Sequence, residues 1–267
     1  MMKQLAWVTD IHLNFVNRPA IGRFCREILD TSPDAVLLGG DVGEAPSVAD
    51  YLRFLESLLR RPIYFVLGNH DYYFGSIAAV REATTALCRA SSLLHWLVAE
   101  PVLELTPATG LVGHDSWADG RYGLGTRSEM LLNDHFLIRD LAGLSHSGRF
   151  RLLNELGDAA AAHFARVLPD AFARYRSVIL LMHVPPFREA CWYEGRISDD
   201  EALPHFACKA VGDVLKRELA ARPDCHLTVL CGHTHGAGAA DILPNLRVIT
   251  GGAEYGKPQV QEPIVIP

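Results

Sequence analysis

Five apolar runs of this 267-residue chain end in the same kinds of residue. LAWVTDIH closes on Asp10 and His12, AVLLGGD on Asp41, and IYFVLGNHD on Asn69, His70 and Asp71. VILLMH closes on His183, and LTVLCGHTH on His233 and His235. Imidazole and carboxylate are the side chains that hold zinc, manganese and iron. In Asp-x-His and His-x-His the two groups stand two residues apart, so an extended chain presents both on one side. Glycine directly precedes Asp41, Asn69 and His233, where it permits a tight turn between strand and ligand. One ion takes about four protein groups. More than that are on offer, which implies two ions. Taken singly, an Asp after a strand is usually a turn or a cap, and a lone His is usually structural. Their recurrence at five strand ends is what carries the inference.

The elements that must aim these groups read as alternating strands and helices. Strands are expected over Lys3–Thr9, Asp34–Leu38, Pro62–Leu67, Ser177–Met182 and His226–Cys231. Helices are expected over Arg18–Thr31, with Asn17 as cap and Pro19 in its first turn, and over Pro46–Arg60 and Ser76–Ala90. This βαβαβα rhythm predicts a largely parallel first sheet, and ligands just past the carboxyl ends of its strands fall where α/β sheets form sites. Glu100–Leu105 and Gly110–Gly113 read as further strands, Leu152–Tyr175 as a helix interrupted near Pro169, and His205–Ala221 as a helix. Ala239–Leu243, Leu246–Thr250 and Val260–Ile266 read as short strands with antiparallel pairing. Residues from about 115 to 150, rich in Gly, Ser, Asp and Arg, read as an irregular, lid-like insertion in one domain spanning 1–267. The whole fits a mixed-sheet α/β architecture, two sheets face to face with helices outside.

Composition narrows the class. Hydrophobic residues make up 49% and charged residues 21%, enough for a sizeable core and a solvated surface. A formal charge of −6, and no basic run longer than Arg60-Arg61, do not favour a nucleic-acid partner. No segment approaches the length of a membrane span, and the opening MMKQLAWVTD lacks the apolar stretch of a secretory signal. The six cysteines are scattered without a CxxC pair and read as reduced thiols, so a cytoplasmic location is expected. There is no GxSxG elbow, P-loop or HExxH.

The ordered set DIH, GGDVGE, GNHD, MH and GHTH resembles the calcineurin-like metallophosphoesterase superfamily over residues 10 to 235. The resemblance implies a four-layer α/β/β/α sandwich. It implies one divalent transition-metal ion (Mn, Fe or Zn) on Asp10, His12, Asp41 and His235, and a second on Asp41, Asn69, His183 and His233. Asp41 would bridge the two. His70 would face the scissile phosphate, protonating the leaving oxygen or stabilising charge, with Asp71 orienting it. A hydroxide bridging the ions would attack phosphorus in line. Glu44 stands where the motif often has Asp, a position usually away from the ions.

Substrate contacts are less sharply written. Arg121 or Arg127 could pair with phosphate; Trp192, with Phe187 and Tyr193, could form an aromatic wall; Tyr72 and Tyr73 follow the GNHD motif and would lie near the mouth. For the arginines, solvated loop charges are at least as good a reading, and for the aromatics of 187–193, packing of the loop onto the body. The implied partner is a small or medium phosphoester, diester or monoester. A nuclease would require a basic groove, and a non-catalytic binding module would have lost ligands, His70 above all; none is missing here.

Overall fold

The computed structural model describes residues 2–267. In chain order its strands are β1 (Lys3–Val8), β2 (Ala35–Leu38), β3 (Ile63–Phe65), β4 (Leu94–Trp96), β5 (Leu103–Thr106), β6 (Thr109–His114), β7 (Ser177–Met182), β8 (Trp192–Tyr193), β9 (Arg196–Ile197), β10 (His226–Cys231), β11 (Gly238–Leu243), β12 (Leu246–Thr250) and β13 (Ile264–Ile266). Its helices are α1 (Arg18–Asp30), α2 (Val48–Leu59), α3 (Ile77–Arg89), α4 (Asp134–Leu137), α5 (His146–Arg174), α6 (Leu203–Phe206) and α7 (Lys209–Ala220).

Among the described residues two large sheets form beside the two-stranded β8–β9. The first runs β13-β1-β2-β3-β4, and the second β11-β12-β10-β7-β6-β5. β1 to β4 are parallel, as are β6, β7, β10 and β12; in these two sheets β5, β11 and β13 at the edges pair antiparallel. Strand alternation explains the layering. Leu5, Trp7 and Leu37 face Ile179, Leu181 and Leu230 between the sheets. Ala6, Val8, Val36 and Leu38 turn the other way, onto Ile21, Phe24, Leu52 and Val80 of α1 to α3. Val178, Leu180 and Met182 turn onto Phe164, Leu168 and Leu215 of α5 and α7. The outcome is the α/β/β/α sandwich.

Local sequence accounts for the helices. α1 starts where Asn17 Oδ1 accepts from the Ala20 amide at 3.0 Å, a cap worth about 1 kcal/mol. It then buries Ile21, Phe24, Cys25 and Ile28, the i, i+3, i+4, i+7 face. α5 differs from the expected interrupted helix. It begins at His146, capped by Ser145, and continues through Pro169 without a break. The proline removes one backbone bond, but Ala160, Phe164, Leu168, Ala171 and Phe172 hold that face against the second sheet. The expected irregular stretch therefore ends near residue 145 and carries α4. The helix expected over His205–Ala221 is divided by extended backbone at Ala207 into α6 and α7. The short β4 and the hairpin β8–β9 were not foreseen. Three residues are too few for an alternation to register. The hairpin turns on Glu194 and Gly195, both at positive φ, the backbone of a two-residue type I′ turn.

Candidate metal centre

The carboxyl ends of β1, β2, β3, β7 and β10 converge, and the loops leaving them are sharply bent. Among the described residues ten non-glycine residues have positive φ, and Asp10, His12, Asp41, His233 and His235 are five of them. Such backbone is costly for these residue types and persists where the surroundings enforce it. Close approach is enforced as well. A Cβ on Gly68 would overlap the Asp41 carboxylate and the His183 ring, and one on Gly232 would overlap the Asp10 carboxylate.

Asp10, His12, Asp41 and His235 each bring one ligand-type atom within 4.8 Å of the others. His12 Nε2 lies 3.2 Å from His235 Nε2 and 3.7 Å from Asp41 Oδ2, and His235 Nε2 lies 3.5 Å from Asp10 Oδ1. Beside this set, Asn69 Oδ1 stands 3.0 Å from both His183 Nε2 and His233 Nδ1. His183 Nε2 is also 3.5 Å from Asp41 Oδ1. The two oxygens of Asp41 thus face the two sets.

The protons at this second set are assigned by its neighbours. His183 Nδ1 donates to the Gly39 carbonyl at 2.8 Å, and His233 Nε2 donates to the His205 carbonyl at 2.9 Å. Asn69 Nδ2 donates to Asp134 Oδ1 at 2.9 Å. Each group has therefore spent its N–H outward and turns a lone pair inward. Asn69 Oδ1 lies 3.0 Å from each imidazole nitrogen, and lone pairs that close repel unless a cation lies between them; ligand atoms around an ion with bonds of about 2.1 Å stand about 3 Å apart. The donor set therefore fits a divalent transition metal.

Electrostatics agree. Burial, reinforced by Asp10 and Asp71, pushes the Asp41 carboxyl well above the carboxylate range. Burial pushes His12 down to about 3 and His233 to about 4. His235 goes the other way, its burial outweighed by the hydrogen bond and charge of Asp10. A buried carboxylate that resists ionising beside His12 and His233, which resist protonation, is a place where a bound cation inverts the balance.

His70 lies at the edge of this nest. Its Nε2 is 3.9 Å from Asp41 Oδ2 and 3.5 Å from the Tyr255 hydroxyl, and its ring stacks on Tyr73 at 4.2 Å. Burial, opposed by Asp134, pushes it down to about 4. Asp71, expected from sequence to orient His70, makes no side-chain hydrogen bond to it among the described residues. Its carboxylate instead accepts from the Val42, Gly43 and Gly68 amides, each at 2.9 Å, and so ties the loop after β2 to the loop after β3.

Of the expected substrate contacts, Tyr73 and Tyr193 line the cavity, whereas Tyr72, Arg121 and Trp192 lie elsewhere. Tyr72 is fully buried, with its hydroxyl donating to Asp115 Oδ2 at 2.8 Å. Arg121 is paired with Asp119 at 3.0 Å and Asp158 at 2.8 Å and does not line the cavity. Trp192 packs against Gly238, and it is the next residues, Tyr193 and Glu194, that reach the cavity. Residues that sequence reasoning passed over take their place. Asp134, Phe206, Glu254 and Tyr255 line the cavity together with Tyr73, His70, Asp41 and Asn69. No short motif marks them, because each owes its position to tertiary folding. His114 and Asp115 are buried. Asp115 accepts from the Leu67 amide, the Tyr72 hydroxyl and the Trp96 indole, each at 2.8 Å.

Comparison with known proteins agrees with this architecture. The model of the calcineurin-like phosphoesterase family matches residues 4–237, and the chain belongs to that family. Among solved structures it is similar to a phosphopantetheinyl hydrolase from Mycobacterium tuberculosis, with a TM-score of 0.65 and 15% identity over 93% of this chain and 89% of that one. It is also similar to a dimetal phosphatase from Danio rerio, with a TM-score of 0.58 and 14% identity over 94% and 87% of the two chains. A third similar structure is TT1561 of Thermus thermophilus, with a TM-score of 0.57 and 15% identity over 94% and 90%. At these identities the likeness is one of fold. None of the curated proteins matches the chain in sequence. Among the described residues no helix is long and apolar enough to cross a membrane.

Proposed function

We propose that the chain hydrolyses a phosphoester using two divalent transition-metal ions (Mn, Fe or Zn). Asp10, His12, Asp41 and His235 would hold one, and Asp41, Asn69, His183 and His233 the other. The observation that carries this reading is Asn69 Oδ1 standing 3.0 Å from both His183 Nε2 and His233 Nδ1, with the N–H of each imidazole turned outward. When bound, such an ion pair makes hydroxide available from water near neutral pH and offsets charge on the phosphoryl group.

The chain's own residues do the rest. Asp41 offers one oxygen to each set, so losing it removes support from both. With its pKa held down to about 4 by burial, His70 is neutral near pH 7. It therefore serves by donating a hydrogen bond to developing charge rather than by giving up a proton outright. Asp71 keeps the loops bearing Asp41 and Asn69 in register. Six free cysteines favour a reducing compartment, and we place the protein in the cytoplasm on that ground.

The test is metal content together with turnover. Protein loaded with Mn2+ should hold two ions per chain and cleave p-nitrophenyl phosphoesters, and a chelator should abolish cleavage until metal is restored. Two ions firmly bound and no hydrolysis of any phosphoester would overturn the reading.

A further inference from the structure

We infer that the substrate is a phosphodiester bearing a single negative charge, with an apolar or ring-bearing group on each side of phosphorus. This rests on the two-ion reading above and concerns what the cavity before those ions accepts.

The cavity has a volume of about 590 Å³. Phosphate groups are usually met by Arg forks or Lys ammonium groups, yet no Lys or Arg lines this wall. Beyond Asp41, its ionisable side chains other than histidine and tyrosine are the carboxyl groups of Asp134, Glu194 and Glu254. Lys257 sits outside the wall and is taken up by Glu254 at 2.6 Å. Any anionic charge beyond what the ions neutralise would face carboxylates. A monoester dianion, a polyphosphate or a nucleic-acid strand is penalised in turn, and a diester monoanion least.

Aromatic rings supply the second, independent observation. They gather as two pairs around the nest. Tyr73 stacks on His70 at 4.2 Å, and Tyr255 lies 4.4 Å from the ring of His12 and 6.1 Å from that of His70. Phe206 presents an edge to His233 at 5.5 Å, and Tyr193 lies 6.4 Å from Phe206. Tyr193 and Tyr255 are 45% and 48% exposed, so each pair offers apolar surface that a substrate can cover. A phosphodiester has two substituents and covers both pairs, whereas a monoester leaves one against water.

Three substrates with one leaving group separate charge from ring contact: bis-p-nitrophenyl phosphate, methyl p-nitrophenyl phosphate and p-nitrophenyl phosphate. On the Mn2+-loaded protein, kcat/KM should fall in that order, with the first at least about tenfold above the last. Glu194→Lys and Glu254→Lys should each raise kcat/KM for the monoester relative to the bis-diester by about threefold. Phe206→Ala should lower kcat/KM for the bis-diester by a larger factor than for the methyl diester. A monoester cleaved as well as the bis-diester, or a ratio unmoved by charge reversal, overturns this inference and leaves the two-ion hydrolase standing. Inactivity on all three substrates with both ions bound overturns both.

Discussion

Asp134 Oδ1 accepts the Asn69 Nδ2–H at 2.9 Å and the Tyr73 hydroxyl at 2.6 Å. An ionised carboxylate only accepts, so it can take only the NH2 end of the amide. The carbonyl end of Asn69 is thereby turned towards His183 and His233. Asp134 comes from the irregular stretch after β6, far in sequence from Asn69, so that stretch helps set the nest and does more than border it.

Removing this partner should therefore weaken one ion more than the other. In Asp134→Ala the Asn69 amide is free to rotate, and affinity at the set of Asn69, His183 and His233 should fall about 10- to 100-fold. After dialysis, metal content should drop from two ions towards one. Tyr73→Phe removes the other bond to Asp134 and should leave the content near two. Titration of the apoprotein with Mn2+ reads both, and wild-type retention of both ions by Asp134→Ala would contradict the role.

His70 predicts the opposite pattern. Its ring stands beside Asp41 at 3.9 Å, and its N–H is the group we assign to the leaving oxygen. His70→Ala should keep two ions per chain while kcat on a poor leaving group drops about 10²- to 10³-fold. The drop should shrink for p-nitrophenol, which needs little help to depart. Metal analysis beside kinetics on both kinds of substrate decides it; a loss of metal with the ring would make His70 a ligand.

Gly68 tests the packing of the nest without touching a ligand. A methyl there would overlap the Asp41 carboxylate and the His183 ring. Overpacking in a tight interior costs about 1–3 kcal/mol, so Gly68→Ala should fold with a lowered melting temperature. Metal content should fall at both sets, because Asp41 faces both. Gly22→Ala on α1, where the added Cβ would meet only the Arg26 guanidinium at 3.9 Å, is a control and should leave metal content untouched. Equal metal content in Gly68→Ala and wild type would show that the close approach is dispensable.

The parts legible in sequence are those written locally. β1, β2, β7 and β10 carry apolar runs that end in Asp or His, and strand ends can be read from one stretch of chain. Once the sheets are parallel, the convergence of the five segments follows from topology. Asp134, Phe206 and Tyr255 carry no such mark, because each reaches the cavity through contacts distant in sequence. Arg121, Tyr72 and Trp192 misled for the same reason. Arg121 is an apt residue for phosphate, but Asp158 on α5 stands 2.8 Å away and takes it. Tyr72 and Tyr73 are neighbours in the GNHD loop, and only the turn of 3-10 helix over His70–Tyr72 sends the first into the core and the second into the cavity.

Behind the second sheet, His114 and His163 make the fold sensitive to acid independently of metal. Their rings lie 5.0 Å apart, and His114 Nδ1 accepts the Ser116 amide at 2.9 Å, a bond that protonation would abolish. Burial pushes His114 down from 6.5 to about 3 and His163 to about 4. With folded pKa values below the unfolded one, the unfolded chain binds more protons as pH falls beneath 6.5. Stability is therefore fully present above that pH and is lost progressively towards pH 3–4, by about 1.4 kcal/mol per pH unit for each such proton. In the apoprotein the urea midpoint should decline from pH 7.5 to pH 5. His114→Asn keeps an acceptor for Ser116 but does not titrate, so its midpoint should decline less steeply over the same range. Parallel curves for wild type and variant would mean that His114 contributes nothing to acid lability.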